Sequence, residues 1–179
     1  MVPVGEGVEL EVRRIQHKEP KGPVLVFLHE SLGSIALWRK FPEKLAKATG
    51  CDALIYNRQG YGHSSDEELP RPFDYLEVAG HKWLPRLLET LEIRDVVLIG
   101  HSDGGSIALV AAGAMRGRVK ALVTMAAPLR AVRAHPMVLG AAMIVRRRIM
   151  SENDVEPGCY SGTCSCDFLD SLRQPLSRS

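Results

Sequence analysis

Gly100-His101-Ser102-Asp103-Gly104 constrains this chain more than any other stretch, because of what stands on either side of it. The five residues fit G-x-S-x-G, a pattern short enough to arise by chance. Before it runs Asp95-Val-Val-Leu-Ile99, an apolar segment of β type. After it runs Ser106-Ile-Ala-Leu-Val-Ala-Ala-Gly-Ala-Met115, whose small residues suit a closely packed helix. A strand that reverses into a helix so abruptly holds its central serine in strained backbone. Glycines at 100 and 104 then let strand and helix pass without Cβ atoms between them. The expected local structure is a strand, a sharp turn at Ser102, and a helix.

The rest of the chain repeats that alternation. Val24-Leu-Val-Phe-Leu28 and Asp52-Ala-Leu-Ile-Tyr56 are apolar runs suited to strands buried on both faces, and Val119-Lys-Ala-Leu-Val-Thr-Met125 is a further strand. Val8-Glu-Leu-Glu-Val-Arg-Arg-Ile15 alternates apolar with polar residues, the pattern of a half-exposed edge strand. A helix is expected from Ile35 to Thr49, closed by Gly50. Another is expected from Asp74 to Leu91, where Leu76, Ala79, Trp83, Leu87 and Leu91 fall on one face and Pro85 introduces a kink. Strands alternating with helices predict an α/β fold: a doubly wound, mainly parallel sheet covered on both faces.

Composition bounds the rest. The 179 residues, 45% apolar, are enough for one buried core. A net charge of +2 with 25% charged residues argues against a nucleic acid or an anionic membrane as partner. No N-terminal apolar segment and no run of transmembrane length is present, so the expectation is a cytoplasmic protein with a small-molecule substrate. Residues 1–126 read as the core. Residues 127–179 change character, first Arg-rich (Arg130, Arg133, Arg146, Arg147, Arg148), then rich in Ser, Cys and Pro, and read as poorly ordered. The arginines form either a solvated face or the product of a shifted reading frame. Cys51 stands alone in a strand, and Cys159, Cys164 and Cys166 lack a fourth ligand for a tetrahedral metal site. No metal and no cofactor are expected.

Ser102 is the candidate nucleophile, placed at the carboxyl end of the sheet beside a helix N-terminus that favours developing negative charge. The alternative is a serine that merely caps that helix. A nucleophile attacking a carbonyl needs donors for the oxyanion. One is the backbone N–H of Asp103, and a second comes from the loop His29-Glu-Ser-Leu-Gly-Ser34. Ser31 is the residue nominated there, with Leu32 its neighbour. The plainer alternative is a β–α turn with Gly33 at positive φ. Asn57-Arg-Gln-Gly-Tyr-Gly-His-Ser-Ser65 is a third loop at the same end of the sheet, where ligands bind in open α/β folds.

Three motifs in this order resemble the α/β-hydrolase fold family, in the branch of esterases and carbon–carbon bond hydrolases. The His29–Gly33 loop is similar to the family's His-Gly-x-x-Gly loop. Asn57–Ser64 is similar to Asp-x-x-Gly-x-Gly-x-Ser, and Gly100–Gly104 to the nucleophile elbow. The chain departs from the pattern at Glu30, where the family has Gly, and at Asn57, where it has Asp. The resemblance covers Val8 to Ala126 and implies a serine hydrolase of a small ester-like or carbon–carbon bonded substrate. Serine at position 102 sets the chain apart from the haloalkane dehalogenase and epoxide hydrolase branches, which carry Asp there.

In that fold the triad runs Ser, then Asp or Glu, then His. After Ser102 the one histidine is His135, the one acid before it is Asp103, and Asp154, Asp167 and Asp170 follow it. No assignment in that order exists within these residues, so the resemblance is to a C-terminally truncated fold, with weak ester hydrolysis expected. The alternative function is a non-catalytic remnant or small-molecule binding module.

Overall fold

The structure, a computed structural model, describes residues 1–127. Strands β1 (Val2–Gly5) and β2 (Val8–Leu10) form an antiparallel hairpin. The main sheet contains β3 (Val12–Ile15), β4 (Val24–Leu28), β5 (Ala53–Tyr56), β6 (Val96–His101) and β7 (Val119–Met125), in the order β3-β5-β4-β6-β7. Only β3 runs antiparallel, against β5; β5, β4, β6 and β7 are mutually parallel.

Side chains alternate between the two faces as the twofold period of a strand requires. Val26, Leu28, Leu54, Tyr56, Val96 and Leu98 pack into one core, and Leu25, Phe27, Ala53, Ile55, Val97 and Ile99 into the other. The first core is covered by α2 (Tyr75–Val78), α3 (Leu84–Thr90), α4 (Asp103–Ala114) and the hairpin. The second is covered by α1 (Phe41–Thr49) and the 3₁₀ turn Ile35–Trp38. Phe27 meets Trp38 and Phe41 edge-on, at ring separations of 5.2 and 5.9 Å. The sheet is therefore doubly wound, as its apolar runs predict.

Three elements differ from expectation, each for a local reason. The alternating Val8–Ile15 segment is two strands in two sheets. Glu11 separates them because its backbone binds another loop: its N–H donates to Ser64 Oγ at 2.9 Å and its carbonyl accepts from Asn57 N–H at 2.9 Å. β2 turns to β1, a strand hidden in the sequence by Gly5-Glu6-Gly7, whose residues all take positive φ. The Ile35–Thr49 helix breaks at Arg39, where φ is 50°, and restarts with Pro42 in its first turn, where a missing N–H is harmless. The Asp74–Leu91 helix widens into a π turn over Ala79–Trp83, directly before Pro85. There Gly80 lies so close to α4 that a Cβ would stand 2.8 Å from the Ile107 carbonyl oxygen.

Gly50 closes α1 at φ 69° as expected. Among the described residues β7 is an edge strand paired with β6 alone. The reading of residues 127–179, including His135 and the three clustered cysteines, lies outside the described residues apart from Ala127. Among the described residues no helix is long and apolar enough to cross a membrane, and no His, Cys, Asp and Glu gather into a metal-binding group.

Candidate active site

Ser102 stands between β6 and α4 with φ 51° and ψ −119°, far from the comfortable regions for an L-residue. Its position is that of an N-cap, yet its side chain makes no capping hydrogen bond. The hydroxyl is thus released from the structural task that most often explains a serine at a helix start. The surrounding backbone holds the turn: Ser102 N–H donates to the Met125 carbonyl at 2.8 Å, and the Ser102 carbonyl accepts from Gly105 and Ser106 N–H at 2.8 and 3.2 Å. The two flanking glycines are required by space. A Cβ on Gly100 would overlap the Gly104 carbonyl, and a Cβ on Gly104 would overlap the Leu28 carbonyl at the end of β4.

That contact brings the loop after β4 against the turn. His29 is buried, with Nδ1 2.7 Å from the Glu30 carbonyl and Nε2 accepting from the Arg58 backbone N–H at 3.1 Å. An acceptor role at Nε2 places the proton on Nδ1, so the ring is neutral. Burial, reinforced by the nearby Arg58 charge, pulls its pKa down to about 4. The Glu30 carbonyl also accepts from Arg58 Nη2 at 2.9 Å and from Gly33 N–H at 3.0 Å. Gly33 does not take positive φ. It is crowded instead, since a Cβ there would lie 3.0 Å from the Glu30 backbone nitrogen and the His29 Cβ.

A peptide unit is planar and trans, so fixing its carbonyl fixes its N–H in the opposite direction. Three donors on the Glu30 carbonyl thereby orient the Ser31 N–H, and two on the Ser102 carbonyl orient the Asp103 N–H. Neither N–H has a hydrogen-bond acceptor among the described residues. Leu32, the neighbour of Ser31, is largely exposed at 89%.

The side chains around these groups were not legible beforehand. Glu30 turns its carboxylate to His101, with Oε2 3.3 Å from Nδ1. The buried Asp103 carboxylate accepts from the Tyr75 hydroxyl at 2.7 Å and lies 4.0 Å from Arg58 Nη1. Burial, with that bond second, pushes the Tyr75 hydroxyl up to about 12. The Tyr61 hydroxyl donates to the Ser31 carbonyl, and the Arg58 and Arg71 guanidinium groups each lie 4.7 Å from the Tyr61 ring centre. A small cavity of about 50 Å³ lies beside this cluster, lined in part by Arg58, Tyr61, Arg71 and Tyr75. Ser102 does not line it. Arg58 and Tyr61 belong to the loop after β5, so that loop's glycines, with Gly60 at φ 79° and Gly62 at 58°, were the available signal. Tyr75 had none, because its contact with Asp103 spans 28 residues.

A serine at positive φ on a strand–turn–helix, facing a loop from the neighbouring parallel strand, defines a class of protein. The family model described as the alpha/beta hydrolase fold matches residues 23–152, and the chain belongs to that family. Over 104 residues the chain is 33% identical to proline iminopeptidase of Lactobacillus acidophilus, a match covering 58% of this chain and 35% of that protein. It is 30% identical over 122 residues to epoxide hydrolase of Caballeronia sordidicola, covering 68% of this chain and 35% of that one. The chain thus spans about a third of the length of these curated relatives. The crystal structure of the enol-lactonase from Burkholderia xenovorans superposes with a TM-score of 0.58 at 22% identity, covering 68% of this chain and 45% of that one, a likeness of fold.

Proposed function

We propose that this chain carries the nucleophile and oxyanion donors of a serine hydrolase acting on a small ester-like or carbon–carbon bonded substrate. The observation that carries this reading is Ser102 itself, held at φ 51° with its hydroxyl unused for capping. Strain of this kind costs about 1–3 kcal/mol and persists where a function requires it. Ser102 Oγ would attack the substrate carbonyl. The negative charge that develops on its oxygen would be met by the Ser31 and Asp103 N–H groups, aided by the N-terminal end of α4.

The proton on Ser102 needs a base. The described histidines beside the site are committed elsewhere: His29 to Glu30 and Arg58, His101 to Glu30, and His63 to Glu11. Among the described residues no histidine beside Ser102 is left to act as that base, and the chain reads as a nucleophile whose acid and base are missing. An incomplete triad retains oxyanion binding, worth a residual ~10³–10⁴ over water in well-built enzymes. The small-molecule substrate reading follows the hydrolases named among the relatives, and serine at position 102 favours acyl chemistry within that group.

A fluorophosphonate probe tests the reading. Labelling of the wild-type chain that Ser102→Ala abolishes supports an activated serine. Absent labelling, or equal labelling of both proteins, refutes it and leaves a binding module without chemistry. Turnover of 4-nitrophenyl esters by the 179-residue chain is expected to be weak.

A further inference from the structure

We propose that Arg58 is a positioning residue that ties the two peptide units of the oxyanion site into one register, an inference that rests on the serine-hydrolase reading above. The two donors sit on different elements. Ser31 follows β4 and Asp103 opens α4, so each can be well oriented alone and still be misplaced relative to the other. Arg58 comes from a third element, the loop after β5, and touches both. Its Nη2 donates to the Glu30 carbonyl at 2.9 Å, on the peptide whose N–H is that of Ser31. Its Nη1 faces the Asp103 carboxylate at 4.0 Å, and both side chains are at least nine-tenths buried.

The guanidinium is itself over-determined. It lies against the Tyr61 ring at 4.7 Å, and its Nε is 3.5 Å from His29 Nε2. Tyr61 in turn holds the Ser31 carbonyl, and Tyr75 holds the Asp103 carboxylate at 2.7 Å. A planar guanidinium can donate in a fixed direction to one acceptor while holding its charge against a carboxylate at a set separation, which a lysine ammonium on a flexible stem cannot. Preorganised donors lose their advantage with small misplacement, because their worth comes from being aligned before charge develops.

The test uses the 179-residue chain and two readouts. Residual dipolar couplings of the Ser31 and Asp103 amides report the mutual orientation of the two N–H vectors, with β4 and β6 amides as internal reference. In Arg58→Met both couplings should depart from wild type while the strand couplings hold. Arg58→Lys, which keeps the buried charge if Met does not fold, should restore one of the two couplings and not both. The limiting rate of fluorophosphonate labelling should fall about tenfold in Arg58→Met, less than the ~10²–10³ seen when a donor is removed outright, with the probe's half-saturating concentration within about twofold. Wild-type couplings at both amides in Arg58→Met or Arg58→Lys would overturn the proposal, as would a wild-type labelling rate in either. Failure of the serine-hydrolase reading shows separately, as the absence of Ser102-dependent labelling in the wild-type chain, and the couplings then decide alone.

Discussion

The Asn57 side-chain amide donates to the Glu11 carboxylate at 2.6 Å, while its oxygen accepts from the Ile35 N–H at 2.7 Å. Asn57 is buried, and Glu11 also accepts from the His63 N–H at 2.8 Å. The His63 N–H first, and the Asn57 amide with it, hold the Glu11 carboxyl below the usual carboxylate range. The resemblance expects an aspartate at 57. In this chain the negative charge at that junction sits on Glu11 instead, and an aspartate would oppose it.

Asn57→Asp should therefore destabilise the fold by about 2–4 kcal/mol, the cost of replacing the amide donor with a buried carboxylate set against that of Glu11. Adding Glu11→Gln should recover most of that loss, since a glutamine amide can donate to the new carboxylate. Urea unfolding of the two single variants and the double variant measures the coupling, and simple additivity would contradict it.

Ser102→Gly should make the chain more stable. Glycine relieves a strain of about 1–3 kcal/mol at φ 51° and ψ −119° but loses about 0.5–1 kcal/mol to its freer unfolded state, a net gain of about 1 kcal/mol. Ser102→Ala keeps the strained Cβ and should leave stability unchanged. Thermal unfolding compares the two, and a melting temperature for Ser102→Gly at or below that of Ser102→Ala would contradict the strain.

The glycines of the turn should grade by what a methyl group would strike. Gly104→Ala meets the Leu28 carbonyl, a backbone atom in the central sheet, and should cost about 3 kcal/mol or more. Gly105→Ala meets the Ala127 methyl group at 2.8 Å, a side-chain atom past the end of β7 and not backbone of the central sheet, and should cost about 1 kcal/mol. Equal losses, read from denaturant midpoints, would mean that the close approach is not what demands glycine.

His29 sets an acid limit. Its folded pKa of about 4 lies below the ordinary 6.5, so between these values the unfolded chain binds the proton that the folded chain refuses. The stability from neutral, buried His29 is fully present above pH 6.5 and is lost as pH falls towards 4. The loss amounts to about 3 kcal/mol, because a tenfold difference in proton affinity corresponds to about 1.4 kcal/mol. His29→Gln should flatten that slope in a pH series of urea titrations. An unchanged slope would place the acid sensitivity on another group.

Much of the fold was legible because it depends on period and on single-residue geometry. The runs Val24–Leu28 and Val119–Met125 are strands over the lengths read from their apolar character, and Gly50 closes α1. The Ser102 turn could be read because a strand, two glycines and a helix lie within one short stretch, so its contacts are local. The breaks at Glu11 and Arg39 were missed where a regular pattern continues but the backbone finds other partners, and the one at Ala79–Trp83 was legible only as a kink at Pro85, which cannot donate.

The candidate site divides along the same line. Ser102, Gly100 and Gly104 were set by neighbours in the chain, and Ser31 by its place directly after a buried strand. Arg58, Tyr61, Tyr75 and Glu11 were not, because their contacts close over 28 to 46 residues between elements whose relative placement only the packed sheet decides. A side-chain hydrogen bond reaches about 3 Å, so no property of Tyr75 in sequence announces Asp103. Their meeting required α2 to dock on α4 and β4 to pair with β6, after which the charges of Arg58 and Asp103 had no water left to face and faced each other.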